Sequence, residues 1–222
     1  MLKRLIDQFG NYSFLLILLV LMLVLHPLLD FGGREFVTVA FTLVFLAGLY
    51  AVRGERRTLV IGLILVVPAL LIGWTSYAVE SRPLFAVSRG LEALYLFYVT
   101  GVILRHVMTE SKITGDTIYG AAAAYLMIGI AFATIFGWLE VFSPGSLRGL
   151  TPSDGSWGAG HDLWQFVYFS LVTMTTLGYG DITPVSDEAR SLATLEAVLG
   201  QFYVAVLVAR IVAILTSRPR TD

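Results

Sequence analysis

The chain consists of long apolar stretches separated by short polar turns. Crossing a bilayer as a helix takes about 20 mainly apolar residues. Six stretches approach that length, at residues 12–29, 36–52, 58–79, 84–108, 116–142 and 187–216. Pro83 stands where the fourth stretch begins, which suits the first turn of a helix. The pattern therefore predicts an all-α membrane protein with six transmembrane helices.

The composition narrows the class of protein further. Hydrophobic residues make up 57% of the 222 residues and charged residues only 14%, against about 25% charged residues in soluble domains. The chain has no cysteine, which excludes disulfides and thiolate metal sites. A net charge of -1 gives no indication of a nucleic-acid partner. No Ser/His/Asp or His/carboxylate cluster occurs at a useful spacing, so we expect neither an enzyme nor a bound cofactor.

The distribution of positive charge predicts the orientation of the spans. If the N-terminus is inside, nine Lys and Arg residues lie on the inner face and four on the outer face, and cytoplasmic loops are enriched in these residues. The run after Met1 resembles the start of a signal peptide, but it continues to Leu29 without a small-residue cleavage pair. We expect a retained first span in a multi-pass protein of the cell membrane, with both termini cytoplasmic.

A glycine-containing motif, Thr175-Thr176-Leu177-Gly178-Tyr179-Gly180-Asp181, lies between the last two spans, on the predicted outer side. Gly178 and Gly180 have no Cβ and can adopt left-handed backbone angles at no steric cost. A chain that alternates right- and left-handed angles points successive carbonyls to one side. The motif resembles the TVGYG selectivity filter of potassium channels, with Leu177 in place of valine. That side chain turns away from the pore in the family, so leucine should be tolerated.

The resemblance to potassium channels covers residues 113–217 and implies a pore module of outer helix, extracellular loop, re-entrant pore helix, filter and inner helix. It implies that four filter strands surround one axis, so the protein would be a homotetramer. Backbone carbonyls would bind dehydrated K⁺, the permeant ion. These are the carbonyls of Thr176, Leu177, Gly178 and Tyr179, with the Thr176 hydroxyl completing the innermost site and Gly180 supplying the outermost ring.

Residues around the filter receive supporting roles from the same resemblance. The pore helix would run from Asp162, which can cap its N-terminus, to Met174, and Thr175 would follow at its negative end. Tyr168 and Phe169 occupy the aromatic-pair positions that hold the filter at a fixed diameter.

Asp181 resembles the family's aspartate behind the filter, which needs a hydrogen-bond partner. Some family members provide a glutamate on the pore helix, but Val172 occupies that position here. Trp164 or Tyr168, from the same chain or a neighbour, would serve instead.

The last span contains three further candidates. Gly200 lies at the spacing of the family's hinge glycine, although a small residue also permits close helix packing. Glu196 is acidic within an apolar span, so we expect it to pair behind the filter or to face the pore. Arg210 lies near the cytoplasmic mouth. It could surround the gate, hold a lipid phosphate, or extend its side chain to the membrane interface.

The first four spans, within residues 1–112, occupy the place of a voltage-sensor domain. The fourth span carries a single arginine, Arg89, and Glu92 can neutralise it three residues later. Several charges must cross the field for steep voltage dependence, so we expect no working voltage sensor. These helices would contact membrane lipids as a scaffold or sense lipid or tension. Residues 218–222 form only a short cytoplasmic tail, so gating by a cytoplasmic ligand would need a separate regulatory subunit.

The sequence therefore predicts a potassium-selective channel that conducts K⁺ passively and is not gated by a charged fourth helix. A weakly selective cation channel is one alternative, although the intact Gly178-Tyr179-Gly180 argues against it. The other is a non-conducting membrane receptor or regulatory subunit with a pore-like fold.

Overall fold

The structure is a computed structural model that describes residues 10–28, 33–79, 81–110, 112–151 and 160–216. Within these residues the fold is helical apart from two short strands and the connecting loops. The helices are α1 (Asn11–Leu28), α2 (Gly33–Ala51), α3 (Arg56–Val79), α4 (Arg82–Thr109), α5 (Gly115–Phe142), α6 (Gly160–Met174) and α7 (Asp187–Thr216). The strands are β1 (Leu147–Arg148) and β2 (Thr183–Pro184), which pair antiparallel.

Each apolar stretch identified in the sequence coincides with one helix, and α6 is the predicted pore helix. Within the described residues, four helices are long and apolar enough to cross a membrane: Arg56–Ser76, Pro83–Thr109, Gly115–Phe142 and Asp187–Ile214. The apolar parts of α1 and α2 are shorter, at Tyr12–Leu25 and Val39–Ala51. The protein is therefore an α-helical membrane protein.

Helix α5 lies at the centre of the packing, in contact with α1, α4, α6 and α7. Its small residues permit these close approaches. A Cβ on Gly129 would lie 2.7 Å from Cδ2 of Leu171 on α6, and one on Gly120 would lie 2.8 Å from Cδ2 of Tyr12 on α1. A capping box between Thr114 and Thr117 marks the start of α5. The central helix thus holds α6 in place.

The predicted neutralisation of the fourth span is confirmed. Nη1 of Arg89 lies 2.7 Å from Oε2 of Glu92, and both side chains are buried. Other predictions fall on parts of the chain outside the described residues: the N-terminal residues 1–9, the tail 218–222, and the capping side chain of Asp162.

Candidate functional site

The motif begins where α6 ends, and the backbone changes hydrogen-bonding pattern there. The amide of Thr175 still donates to the carbonyl of Leu171 at 3.0 Å, as in an α-helix, but the amide of Thr176 donates to Thr173, only three residues back. Such tightening is usual in the last turn of a helix. Thr176 then adopts a φ of +58°, which no helix can continue. The chain leaves α6 at this residue.

Left-handed backbone angles recur at every second residue of the motif. Thr176, Gly178 and Gly180 have φ values of +58°, +57° and +82°. The two glycines were expected to adopt such angles. Thr176 was not, because a β-branched residue with positive φ is a genuine outlier, and it is the single non-glycine residue with positive φ in the described part of the chain. Strain of this kind persists at sites where the surrounding structure enforces it.

Two consecutive amides of the motif share one acceptor on α6. The N–H groups of Leu177 and Gly178 donate to the carbonyl of Val172 at 3.0 and 3.3 Å. In a trans peptide the N–H points opposite to the carbonyl of the preceding residue. The carbonyls of Thr176 and Leu177 therefore both point away from α6. A regular strand would direct them to opposite sides.

The outward carbonyls have no partner within the described chain. No hydrogen bond from any described residue reaches the carbonyl oxygens of Thr176, Leu177, Gly178 or Tyr179. The whole motif up to Gly180 is exposed in the single chain. Of these carbonyls, those of Thr176 and Leu177 point to one side, away from α6, and neighbouring unpaired carbonyl oxygens can bind a cation or water. The hydroxyl of Thr176 donates to the carbonyl of Thr175 at 2.7 Å.

Behind the motif, the phenol of Tyr168 donates to Oδ2 of Asp181 at 2.7 Å. Within the single chain, Asp181 therefore has one of the expected partners, Tyr168. The hydrogen bond from Tyr168 holds the pKa of the Asp181 carboxyl below its usual range, and the same bond raises the pKa of Tyr168 to about 12. Asp181 is therefore a carboxylate that accepts a hydrogen bond at neutral pH.

Tyr168 and Phe169 serve different contacts although they are adjacent. Phe169 is buried against α5, where its ring lies edge-on to that of Phe136 at a centroid distance of 4.9 Å. Tyr168 contacts Asp181, the last residue of the motif. The expected aromatic pair is therefore divided: one ring anchors α6 to the outer helix and the other binds the end of the motif.

The loop before α6 supports the same end of the motif, and the sequence did not predict this. Gly149 has a φ of +94°, and a Cβ there would lie 1.9 Å from the carbonyl oxygen of Asp181. The carbonyl of Ser146 accepts from the amide of Val185 at 2.8 Å. The pairing of β1 with β2 continues this contact. Gly149 was the available signal, since only glycine fits so close an approach.

Gly200 lies in the uninterrupted helix α7, directly beside the end of α6. A Cβ on Gly200 would lie 2.5 Å from both Cγ and the carbonyl oxygen of Met174. Of the two interpretations left open by the sequence, this contact favours close packing over a hinge.

Arg210 contacts the C-terminus of α4, which none of the three sequence interpretations included. Its guanidinium donates to the carbonyl of Met108 and, at 2.6 Å, to the carbonyl of Glu110. The last carbonyls of a helix have no partner within it, so Arg210 satisfies two of them. This joins the inner end of α7 to the first four helices.

Within the described residues, no group of three or more His, Asp or Glu side chains could hold a metal ion.

Comparison with known proteins places the motif inside a matched region. A family model described as "Ion channel" matches residues 124–217, which include most of α5, all of α6, the motif and α7. The chain is 29% identical to Protein LctB of Bacillus caldotenax and 30% identical to Protein LctB of Geobacillus stearothermophilus. Both alignments span 125 residues, 54% of this chain and 88% of the relative.

Proposed function

We propose that this chain, which belongs to the ion channel family, is a potassium-selective channel that conducts K⁺ passively across the membrane. Membership of this family makes it an ion channel, and not an enzyme. The finer proposal depends on one observation: the amides of Leu177 and Gly178 share the carbonyl of Val172, so the carbonyls of Thr176 and Leu177 both point away from α6. Rings of such carbonyls replace the hydration shell of K⁺ in channel filters.

The mechanism follows from this arrangement of oxygens. A K⁺ ion would lose its water to the carbonyls of Thr176, Leu177, Gly178 and Tyr179, with Gly180 at the outer entrance. Several ions would occupy neighbouring sites, and repulsion between them would allow exit. Tyr168 and Asp181 would support the outer end of the filter, and Thr175 would connect it to α6. K⁺ is the permeant ion, and no cofactor takes part.

Assembly into a homotetramer is part of the proposal, because one chain supplies one filter strand and a ring needs four. The surface beside the filter supports this. Leu177 and Tyr179 are 55% and 67% exposed in the single chain. A groove of about 560 Å³ beside the filter is lined by Thr173, Ala193 and Ala197, among others. A neighbouring copy would cover these side chains.

Helix α7 also supports assembly, because it exposes apolar side chains along its length. Large apolar side chains are exposed on it, including Phe202 at 65% and Val208 at 53%. Contiguous exposed apolar surface marks interfaces with proteins or membrane. In the tetramer one face of α7 would line the pore and another would meet the neighbouring copy.

We propose six spans in the cell membrane with both termini cytoplasmic, including α1 and α2 as spans. The ends of four helices support this topology. The amide of Tyr12 at the start of α1 donates to Oδ1 of Asp116 at the start of α5, at 3.0 Å. Arg210 near the end of α7 contacts the end of α4. The helix ends that the proposed topology places in the cytoplasm thus contact one another. The opposite end of the filter, at Asp181, lies against the loop after α5.

Gating by voltage through a charged fourth helix is not part of the proposal, since Arg89 is neutralised by Glu92. Membrane lipids would surround the first four helices.

The test is K⁺ flux from liposomes that hold the purified protein, with Na⁺ outside. We expect flux that Ba²⁺ blocks and that Gly178→Ala abolishes, because an L-residue at a φ of +57° is strained and the carbonyl would turn. Gly90→Ala is the matched control, since a Cβ there meets nothing within 4 Å. Equal flux in the Gly178 and Gly90 variants would contradict the assignment of the filter.

Two further measurements separate the alternatives. Reversal potentials in mixed Na⁺ and K⁺ would lie close to zero for a weakly selective cation channel. No current in planar bilayers under any pH, voltage or tension would indicate a non-conducting receptor or regulatory subunit.

A further inference from the structure

A buried carboxyl group lies behind the filter, at the junction of three helices. Glu196 on α7 is 0% exposed even in the single chain. Its Oε1 contacts the hydroxyl of Ser170 on α6. The same hydroxyl lies 2.5 Å from the carbonyl oxygen of Gly129 on α5. One serine oxygen therefore connects the outer helix, the pore helix and the inner helix.

The number of protons at this junction can be counted from its geometry. A serine hydroxyl has one proton to donate, and a backbone carbonyl can only accept. An ionised carboxylate can also only accept. If Glu196 were ionised, Ser170 would satisfy one of its two close neighbours and face the other with lone pairs against lone pairs. Both contacts are satisfied when the Glu196 carboxyl donates to Ser170 and Ser170 donates to Gly129.

The surroundings of Glu196 also disfavour a charge. Its Oε2 has no hydrogen-bond partner among the described residues. The titratable group that faces it from α5 is Tyr125, and the facing residue of α6 is the uncharged Ser170. On α7 itself the residues one turn away are apolar or glycine: Leu192, Ala193, Leu199 and Gly200. Burying an ion without a partner costs far more free energy than burying a neutral acid.

The other buried glutamate shows the contrasting arrangement. Glu92 on α4 is 7% exposed and lies 2.7 Å from the guanidinium of Arg89. A cation thus compensates that carboxylate. Within the described residues, no Lys or Arg forms such a pair with Glu196.

We infer that Glu196 is a neutral carboxylic acid whose proton, donated to Ser170, fastens the inner helix to the pore helix and so positions the filter. The inference on the filter rests on the proposed function. Ser170 lies two residues before Val172, whose carbonyl holds the amides of Leu177 and Gly178. Movement of α6 at Ser170 therefore reaches the filter through one turn of helix. Glu196 is a positioning residue, since it acts through α6 and not on the ion.

Loss of the proton would break the junction. A rise in pH that ionises Glu196 would remove the donor to Ser170, whose single proton could then satisfy only one of its two neighbours. We expect K⁺ flux to fall as the pH is raised, and this fall to be absent in Glu196→Gln. The glutamine amide keeps the size and a donor and cannot ionise.

The direct test is infrared spectroscopy of the full-length protein in liposomes at neutral pH. We expect the C=O stretching band of a protonated carboxylic acid in the unaltered protein and in Glu92→Gln, and its absence in Glu196→Gln. This measurement does not depend on conduction. A spectrum without that band, or with the band unchanged in Glu196→Gln, would overturn the inference even if the protein conducts K⁺.

The functional test measures K⁺ flux from liposomes under the same conditions. Glu196→Gln should keep K⁺ flux and selectivity, and Glu196→Leu, which has no donor, should lower flux about tenfold, the scale of one lost buried hydrogen bond. If Glu196→Leu does not fold, the pH dependence of K⁺ flux in the unaltered protein and in Glu196→Gln still tests the inference. A pH dependence that persists in Glu196→Gln contradicts it. A protein that shows the band but conducts no K⁺ would contradict the proposed channel and leave the assignment of the proton standing.

Discussion

The phenol oxygen of Tyr168 lies 2.7 Å from Oδ2 of Asp181 and joins the pore helix to the residue that follows the filter. The carboxylate is also anchored locally, since Oδ1 of Asp181 accepts from the amide of Ile182 at 3.0 Å. From the other side, Gly149 packs against the backbone carbonyl of Asp181. The end of the motif is thus held by α6 and by the loop after α5 together.

Removing the phenol oxygen should weaken this support without altering the filter itself. We expect Tyr168→Phe to keep K⁺ selectivity but to lose current several-fold faster during sustained conduction at low external K⁺, because the outer carbonyl ring is less firmly held. Macroscopic currents in planar bilayers at stepped K⁺ concentrations measure this. Tyr119→Phe on the exposed face of α5 is the control and should not change the decay. Equal decay rates in both variants would show that the bond does not stabilise the filter.

The pH dependence of this bond has a definite sign. The pKa of Asp181 is lowered in the folded protein, mainly by the hydrogen bond from Tyr168. The hydrogen bond between Tyr168 and the ionised Asp181 therefore contributes its full stability above the pKa of an unperturbed aspartate, about 3.9. This contribution is lost as the pH falls through the lowered pKa of Asp181 in the folded protein. We therefore expect the titration of Asp181 to leave the K⁺ current unchanged between neutral pH and an external pH of about 4.

The variant Tyr168→Phe supplies the comparison for that pH series. Without the phenol, acid sensitivity should begin at higher pH, near the value of an ordinary aspartate. Current against external pH, recorded for both proteins, gives the shift. If the current fell over the same acidic pH range in both proteins, the titration of Asp181 would not be its cause.

The helices could be predicted from the sequence because their cause is local. Long apolar runs and their polar breaks give the positions of α1 to α5 and of α7, and the spacing of Arg89 and Glu92 on one helix face gives their ion pair. The positive φ of Gly178 and Gly180 could also be predicted, since glycine is the residue that adopts positive φ without strain. The long-range contacts have no such signal.

The long-range contacts join residues far apart in the chain. Arg210 reaches Met108, and Ser170 reaches Gly129 and Glu196. Helical periodicity predicts which face of a helix is apolar, but not which carbonyl on another helix lies opposite. Thr176 shows the same limit within the motif: its positive φ accompanies the hydrogen bonds from the amides of Leu177 and Gly178 to Val172, and nothing in threonine itself favours that angle.

Gly200 offers a test between packing and bending of the inner helix. Since a Cβ there would lie 2.5 Å from the Met174 carbonyl oxygen, Gly200→Ala must displace the end of the pore helix. We expect a loss of tetramer stability of about 1–3 kcal/mol, the usual cost of overpacking, together with reduced K⁺ flux. Thermal unfolding in detergent measures the stability. Gly90→Ala on α4 has open space and is the control.

The hinge interpretation makes a different prediction for the same variant. Alanine would stiffen α7 and lower the open probability while leaving the unfolding temperature unchanged or raised, because alanine favours helix over glycine by about 1 kcal/mol. A stable Gly200→Ala protein with rare openings would therefore contradict the packing interpretation.

Arg210 provides a link between the inner end of α7 and the first four helices, through the carbonyls of Met108 and Glu110. In the proposed channel, opening at the cytoplasmic mouth would move the C-terminal end of α7 and break these bonds. Hydrogen bonds to a charged group contribute about 1.5–3 kcal/mol, so Arg210→Gln should raise the open probability about tenfold or more. Single-channel recording in planar bilayers measures it.

A charge-removing control distinguishes this link from a general effect of electrostatics. Arg190 also lies on α7, but its ion pair with Asp187 is exposed and long, at 3.7 Å, and such pairs contribute little. We expect Arg190→Gln to leave the open probability unchanged. Arg210→Lys should give an intermediate value, because an ammonium keeps the charge but cannot reach both carbonyls with the fork of a guanidinium. If lysine and glutamine at this position gave the same open probability as arginine, α7 would open without releasing α4, and the link would serve stability alone.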